Sequence, residues 1–149
     1  MPTGPVRLIR IRRRDDLIAG TGFRVLGKIK GKIKVVSIIG PRDSGKTTLI
    51  NAILDQAPQK EKLQPGVWMW INPIKLPEGN LIVLDMTGEE IIYEHGQLYH
   101  KIASLMFMLS SVFIFNTSGA IDEEAISELQ KISTVNEWIS YQNNEEETN

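Results

Sequence analysis

The chain has 149 residues, a net charge of −1, 42% hydrophobic residues and 23% charged residues, the balance of a soluble globular protein. No apolar run approaches the ~20 residues that a bilayer-spanning helix needs, and the basic N-terminus leads into polar sequence rather than a signal-peptide core. Cysteine is absent, which excludes disulfides, thiolate metal sites, prenylation and palmitoylation, and Pro2 excludes N-myristoylation; the expectation is a cytoplasmic protein with no transmembrane segment or lipid anchor.

Residues 6–11 (VRLIRI) alternate apolar and basic side chains, which predicts a half-exposed edge strand. They belong to a basic segment. Residues 1–34 hold ten Lys or Arg against two Asp, a net of +8, and the remainder holds seven against sixteen Asp or Glu, a net of −9. The cluster of Arg10, Arg12, Arg13 and Arg14 with Lys28, Lys30, Lys32 and Lys34 suits nucleic acid or anionic lipid, or else a solvated face set against the acidic remainder. No aromatic residues accompany it for base stacking, which favours the solvated face. Residues 15–32 read as irregular, apart from a short helix around 23–26.

Residues 34–39 (KVVSII) predict a buried strand, and residues 47–54 (TTLINAIL) an amphipathic helix. Between them, Gly40-Pro41-Arg42-Asp43-Ser44-Gly45-Lys46-Thr47 fits G-x-x-x-x-G-K-[ST], the phosphate-binding loop of nucleoside triphosphatases. Glycines let the backbone turn so that successive N–H groups face an anion, and the helix start adds unpaired donors and a positive dipole end. Gly40, Pro41, Arg42, Asp43, Ser44, Gly45, Lys46, Thr47 and Thr48 are the candidate nucleotide-binding residues. Lys46 is expected to reach the β- and γ-phosphates and Thr47 to ligate Mg2+.

Residues 57–63 (APQKEKL) read as a polar loop, and 67–71 (VWMWI) and 81–84 (LIVL) as strands, with hairpin-turn signals in 73–80 (PIKLPEGN). Leu98, Ile102, Leu105, Met106 and Leu109 recur at helical spacing over 98–109, and 112–115 (VFIF) is a wholly apolar run, as in a strand covered on both faces. Ile121 or Asp122 opens a last helix through Ile132, with Ala125, Ile126, Leu129 and Ile132 on one face. Residues 1–139 read as one domain and 140–149 as a disordered acidic tail. The order of elements predicts a three-layer α/β/α fold of the P-loop nucleoside triphosphatase type, similar to a G domain, around a mostly parallel sheet.

Asp85-Met86-Thr87-Gly88 ends a strand 39 residues after Lys46, a natural spacing for the D-x-x-G element of GTPases. A carboxylate at that strand end is expected beside the phosphate loop, acting on Mg2+ through a bound water, with the Gly88 N–H approaching the γ-phosphate. Thr47 and Asp85 are the candidate metal residues; Lys46, Arg42 and Gly88 are the candidate catalytic ones. Glu89 and Glu90 read as solvated, and His95 and His100, without clustered ligands, as surface-helix residues.

Gly66-Val67-Trp68-Met69-Trp70, the strand ending in Asp85, and the run from Leu109 to Asn116 (LSSVFIFN) resemble the guanylate-binding protein family of large, dynamin-related, atlastin-like GTPases. Pro5-Val6-Arg7-Leu8-Ile9 is similar to that family's opening strand. Trp68 and Trp70 themselves read as core aromatics. The resemblance covers the N-terminal part of the GTPase domain and implies a GTP- and GDP-binding domain that pairs through its nucleotide face, with itself or with a relative, and hydrolyses GTP with Mg2+.

The pattern departs from the family in three places. Asp43 stands where relatives carry an arginine that completes the site, and Arg42 lies one residue earlier. Gln64 stands where relatives carry a switch threonine, and no Ser or Thr occurs between Thr48 and Thr87. Neither N-K-x-D nor the family's threonine-leucine-arginine-aspartate equivalent follows Asp85, so guanine preference rests on the resemblance alone and ATP stays open. The chain reads as a partial family member cut before the base-recognition strands, which would leave residues 112–115 as an exposed apolar edge. Hydrolysis is therefore expected to be impaired. The alternative from another class is a non-catalytic interaction module that pairs with a full-length relative.

Overall fold

The computed structural model describes residues 4–13, 16–41, 44–55, 63–88, 92 and 98–134, with the side chains of 13 and 71–75 excepted. In chain order the elements are β1 (Pro5–Arg13), β2 (Asp16–Ala19), α1 (Gly22–Lys28), β3 (Ile33–Ile39) and α2 (Lys46–Leu54). They continue with β4 (Gly66–Leu76), β5 (Gly79–Thr87), α3 (Leu98–Leu109), β6 (Val112–Phe115) and α4 (Glu123–Ser133). Arg42, Asp43, Glu89, Glu90, His95, most of the polar loop over 57–63 and the acidic tail over 140–149 lie outside the described residues.

The strands form one sheet in the order β2-β1-β4-β5-β3-β6. Strand β3 is parallel to β5 and β6, whereas the β1–β2, β1–β4 and β4–β5 pairs are antiparallel. The sheet is thus mixed rather than mostly parallel. The reason is the turn at Pro77 and Glu78, which returns β4 directly into β5; a connection that short only joins antiparallel strands.

Side chains alternate between two apolar layers. On one face Ile38, Val83 and Trp70 pack with Ile50 and Leu54 of α2. On the other, Ile39, Leu84, Met86, Val67 and Met69 pack with Leu98, Tyr99, Ile102, Ala103 and Met106 of α3 and Ile132 of α4, and α1 adds Val25 and Leu26. This is the expected three-layer α/β/α arrangement. Ile38 and Ile39 are both fully buried, one in each layer, and each is worth roughly 1.5–3 kcal/mol relative to exposure.

Three strand expectations are corrected. Strand β1 is interior rather than an edge, because β2, within a stretch read as irregular, pairs with its outer side. Four residues (DLIA) are too short to display an alternation. Within β1 a register shift between Arg7 and Ile9 lets two consecutive apolar residues, Leu8 and Ile9, both enter the core, as a bulge permits. Strand β6 lies at the sheet edge, with Val112 53% exposed and the next three residues half-buried. Its apolar run predicted cover on both faces, whereas the expectation of an exposed apolar edge agrees with its pairing, among the described residues, on one side only.

The start of β6 is nonetheless held firmly. Ser111 N donates to Val35 O at 2.8 Å and its hydroxyl accepts from Val35 N at 3.2 Å. The Ser110 hydroxyl contacts Ser37 Oγ and Met106 O, and the fully buried Ser37 donates to Met106 O at 3.3 Å. The last helix opens where expected, with Asp122 as N-cap accepting from Ala125 N at 2.9 Å. No helix among the described residues is long and apolar enough to cross a membrane.

Candidate functional site

The loop leaves β3 at Gly40 and enters α2 at Lys46, at the end of the sheet where β5 finishes with Asp85 to Thr87. Gly45 caps the helix at φ +83°, a left-handed conformation that disfavours other residues, and the first-turn N–H groups of α2 have no intrahelical acceptor. The φ of Gly45 therefore delivers the chain into the helix with those donors facing outward, as an anion requires. Thr47 and Thr48, in that first turn, are exposed.

Register places Asp85 beside Ile38 of β3 and Trp68 of β4, directly under the start of α2. Lys46 Nζ lies 3.0 Å from Asp85 Oδ1, each side chain being 12% exposed, and donates to Met86 O at 2.6 Å. Asp85 Oδ1 is buried, and at 3.0 Å from Lys46 Nζ its contact is first an ion pair, with the hydrogen bond the weaker contribution. Burial pushes the Asp85 carboxyl above its ordinary range, opposed by the charge of Lys46. A buried carboxylate oxygen at the end of the strand below the first turn of α2, where Thr47 carries an exposed side chain, suits a hard divalent cation. No group of three His, Cys, Asp or Glu occurs among the described residues, so phosphate oxygens and water would have to complete such a shell, as is usual for Mg2+.

Gly88 has φ +71°, and an added Cβ would fall 2.6 Å from Pro65 Cβ. The end of the D-x-x-G element therefore rests against the segment that precedes β4. In that segment Gln64 O accepts from Trp68 Nε1 at 2.8 Å and from Thr87 Oγ1 at 2.7 Å. Its side-chain Oε1 accepts from Arg7 at 3.0 Å, and the Arg7 guanidinium sits 5.4 Å from the Trp68 ring centroid, within cation–π range. Burial, then the charge of Arg10, lowers the Arg7 pKa. Trp68 thus does more than fill the core: it is half-buried and holds both Gln64 and Arg7. Trp70 is the core aromatic, 7% exposed.

Of the sequence candidates, the structure brings together Lys46 and Asp85, with the exposed Thr47 next to Lys46 in the first turn of α2. Arg42 and Asp43 lie outside the described residues. His100 is held by Glu128 of α4 at 3.2 Å, a partly buried helix-to-helix contact rather than the surface position its sequence suggested. The basic N-terminal segment includes exposed ion pairs, Arg12 with Asp16 at 2.7 Å and Lys34 with Glu78 at 3.0 Å, in keeping with a solvated face. One residue escaped sequence reasoning. Asn116, just past β6, donates through Nδ2 to Ser44 O at 2.7 Å and to Ser44 Oγ at 3.3 Å. Its position at the end of an apolar strand parallel to β3 was the only available signal.

Comparison with known proteins agrees with this geometry. The family profile described as "Guanylate-binding protein, N-terminal domain" matches residues 18–149. Guanylate-binding protein 2 of Homo sapiens is 28% identical over 145 residues, covering 91% of this chain and 24% of its own length. Guanylate-binding protein 6 of Mus musculus is 30% identical over 144 residues, covering 91% and 23%. The chain therefore spans about a quarter of the length of these relatives. With the phosphate loop, the D-x-x-G strand end and the tryptophan strand all in family order, this chain belongs to the guanylate-binding protein family, in its N-terminal domain.

Proposed function

We propose that this chain binds GTP and GDP through Gly40 to Thr48, with Mg2+, and that its hydrolysis of GTP is weak. The observation that carries the reading is the meeting of Lys46 with Asp85 and Met86 at the mouth of the loop, which puts the motif cation and the D-x-x-G carboxylate in one place. Lys46 holds the β- and γ-phosphates, and the Gly88 N–H contacts the γ-phosphate. Thr47 and Asp85 would hold Mg2+, Asp85 through water, and the ion neutralises charge on the phosphate oxygens when bound. Guanine preference is inherited from relatives whose names state that they bind guanylates.

Weak hydrolysis follows from two features. Gln64 supplies a carboxamide where relatives place a hydroxyl, and that carboxamide is held by Arg7. Asp43 adds a negative charge to the loop, leaving Arg42 as the residue that answers charge developing in the transition state. Pairing with itself or with a relative through the nucleotide face, and a cytoplasmic location, complete the proposal. The test is titration of fluorescent GTP with and without Mg2+, with ATP as competitor, on the wild type and Lys46→Ala. Mg2+-dependent binding that the variant loses supports the reading; tight binding by Lys46→Ala overturns it.

A second reading, a non-catalytic interaction module, has its own observation. Val112 on β6 and the nearby Phe107, Met108 and Leu109 are exposed apolar residues beside a strand paired on one side. Absence of binding at high micromolar GTP, with concentration-dependent association, would favour it.

A further inference from the structure

We propose that Asn116 is the residue that positions the phosphate loop. This rests on the reading of Gly40 to Thr47 as a phosphate site and assigns a role to a side chain outside the loop motif.

Asn116 touches the loop at both ends. Its backbone N donates to Ile39 O at 2.7 Å, extending the parallel β3–β6 pairing to the last residue before the loop. Its own carbonyl oxygen lies 2.1 Å from where a Cβ on Gly40 would stand, so the loop's first residue is seated directly on it. Its carboxamide then reaches across to the loop's far side and donates to Ser44 O at 2.7 Å and Ser44 Oγ at 3.3 Å. The carbonyl partner can only accept, which requires the nitrogen, not the oxygen, of the carboxamide to face Ser44.

The Ser44 contact controls the direction of a donor. In a trans peptide the N–H points opposite to the preceding C=O. Drawing Ser44 C=O toward Asn116 therefore turns the Gly45 N–H away from Asn116, to the side where the loop receives its anion. Gly45 has φ +83° and an added Cβ there would meet no heavy atom of the described residues within 4 Å, so the described chain does not pack over the loop at the Cβ side of this residue. The support is itself rigid. Strand β6 is fixed at its start by Ser111 on Val35, and Phe113 packs edge-on against Phe107 at 5.4 Å between centroids. A donor held on a strand by packing keeps a loop peptide in one orientation without movement on binding.

The chemistry selects asparagine. Alanine lacks the donor. Aspartate has the same shape, but its ionised carboxylate only accepts, so it has no proton to give the Ser44 carbonyl and would add negative charge beside the phosphate site.

The experiment compares wild type, Asn116→Ala and Asn116→Asp by Mg2+–GTP titration, thermal melting, and amide hydrogen exchange of the nucleotide-free chain. Loss of one hydrogen bond to a partly buried carbonyl predicts roughly tenfold weaker GTP binding in Asn116→Ala, and weaker binding still in Asn116→Asp. Exchange at Gly45 and Lys46 should accelerate by about tenfold, while the strands of the sheet keep their protection. GTP binding and loop exchange unchanged in both variants overturn the proposal, as does acceleration spread over the whole sheet in both. If wild type binds no GTP yet Asn116→Ala accelerates exchange only in the loop, Asn116 stands as the loop's support and the phosphate reading falls instead.

Discussion

Replacing Lys46 by methionine keeps most of the side chain's volume and removes its charge, taking from Asp85 its partner and from Met86 O its donor. Both side chains are 12% exposed, so the contact ranks with buried ion pairs, in which loss of one partner costs about 3–5 kcal/mol. Asp85 can limit that loss by taking up a proton, which makes the lower figure, about 3 kcal/mol, the expectation at pH 8. In a chain of 149 residues each kcal/mol moves Tm by about 2–4 °C, so the melt should fall by about 6–12 °C. The pH dependence has a definite sign. Burial already holds the Asp85 carboxyl above its ordinary range against the pull of Lys46, and removing Lys46 raises it further. The folded state then binds the proton more tightly than the unfolded state. Stability is fullest below the ordinary aspartate value of about 3.9 and is lost as pH rises through the raised folded value. Melts of nucleotide-free protein should therefore show a gap between variant and wild type that widens from pH 5 to pH 8. The double variant Lys46→Met/Asp85→Asn should recover at least half of the loss, because it leaves no unpaired charge. A gap that is constant or narrows with pH, or a double variant no better than Lys46→Met, would refute the reasoning.

Gln64→Thr should raise the rate of phosphate release from GTP, because it restores a hydroxyl next to the Gly66–Leu76 strand; an unchanged or lower rate in a phosphate-release assay counts against Gln64 as the limiting departure. Gly40→Ala should destabilise by about 1–3 kcal/mol through overpacking against Asn116 O and abolish GTP binding, read by thermal melting and titration. Gly45→Ala meets no atom of the described residues within 4 Å, and its φ alone sets a cost of about 1–2 kcal/mol. Val112→Lys, at a position 53% exposed on the sheet edge, should leave Tm within a degree or two and reduce any self-association seen by sedimentation; association that persists unchanged removes the β6 edge as its cause.

The loop, its strand and its helix were legible because their signals are contiguous. An apolar run meets glycine, and an apolar stripe follows the G-K-T triplet. Asp85 was legible from spacing, since a strand of known direction puts its last residue at the same sheet end as the loop. What escaped was tertiary. Asn116 meets Ser44 across 72 residues of chain, and nothing local distinguishes an asparagine that ends a strand from one that holds a distant carbonyl. Trp68 and Trp70 look equivalent two positions apart and do share a sheet face, yet α2 covers only Trp70 and Arg7 reaches Trp68. The interior place of β1 depended on a four-residue partner with no periodicity to show.

The ammonium of Lys46 is already engaged. It donates to Met86 O and pairs with Asp85, and so ties the first turn of α2 to the end of β5. A phosphate that recruits Lys46 therefore competes with the fold's own oxygens: ligand binding is an exchange of partners, not an addition. One result is a built-in selectivity. On the proposed reading, neutral or weakly charged ligands would not displace a carboxylate from that cation, whereas a di- or triphosphate would, especially with Mg2+ relieving its repulsion with Asp85. On that reading the same exchange would loosen a strand-to-helix tie at the moment of binding. The two ends of that tie, Lys46 in the loop motif and Met86 two residues before Gly88, would then be free to respond to what the loop holds.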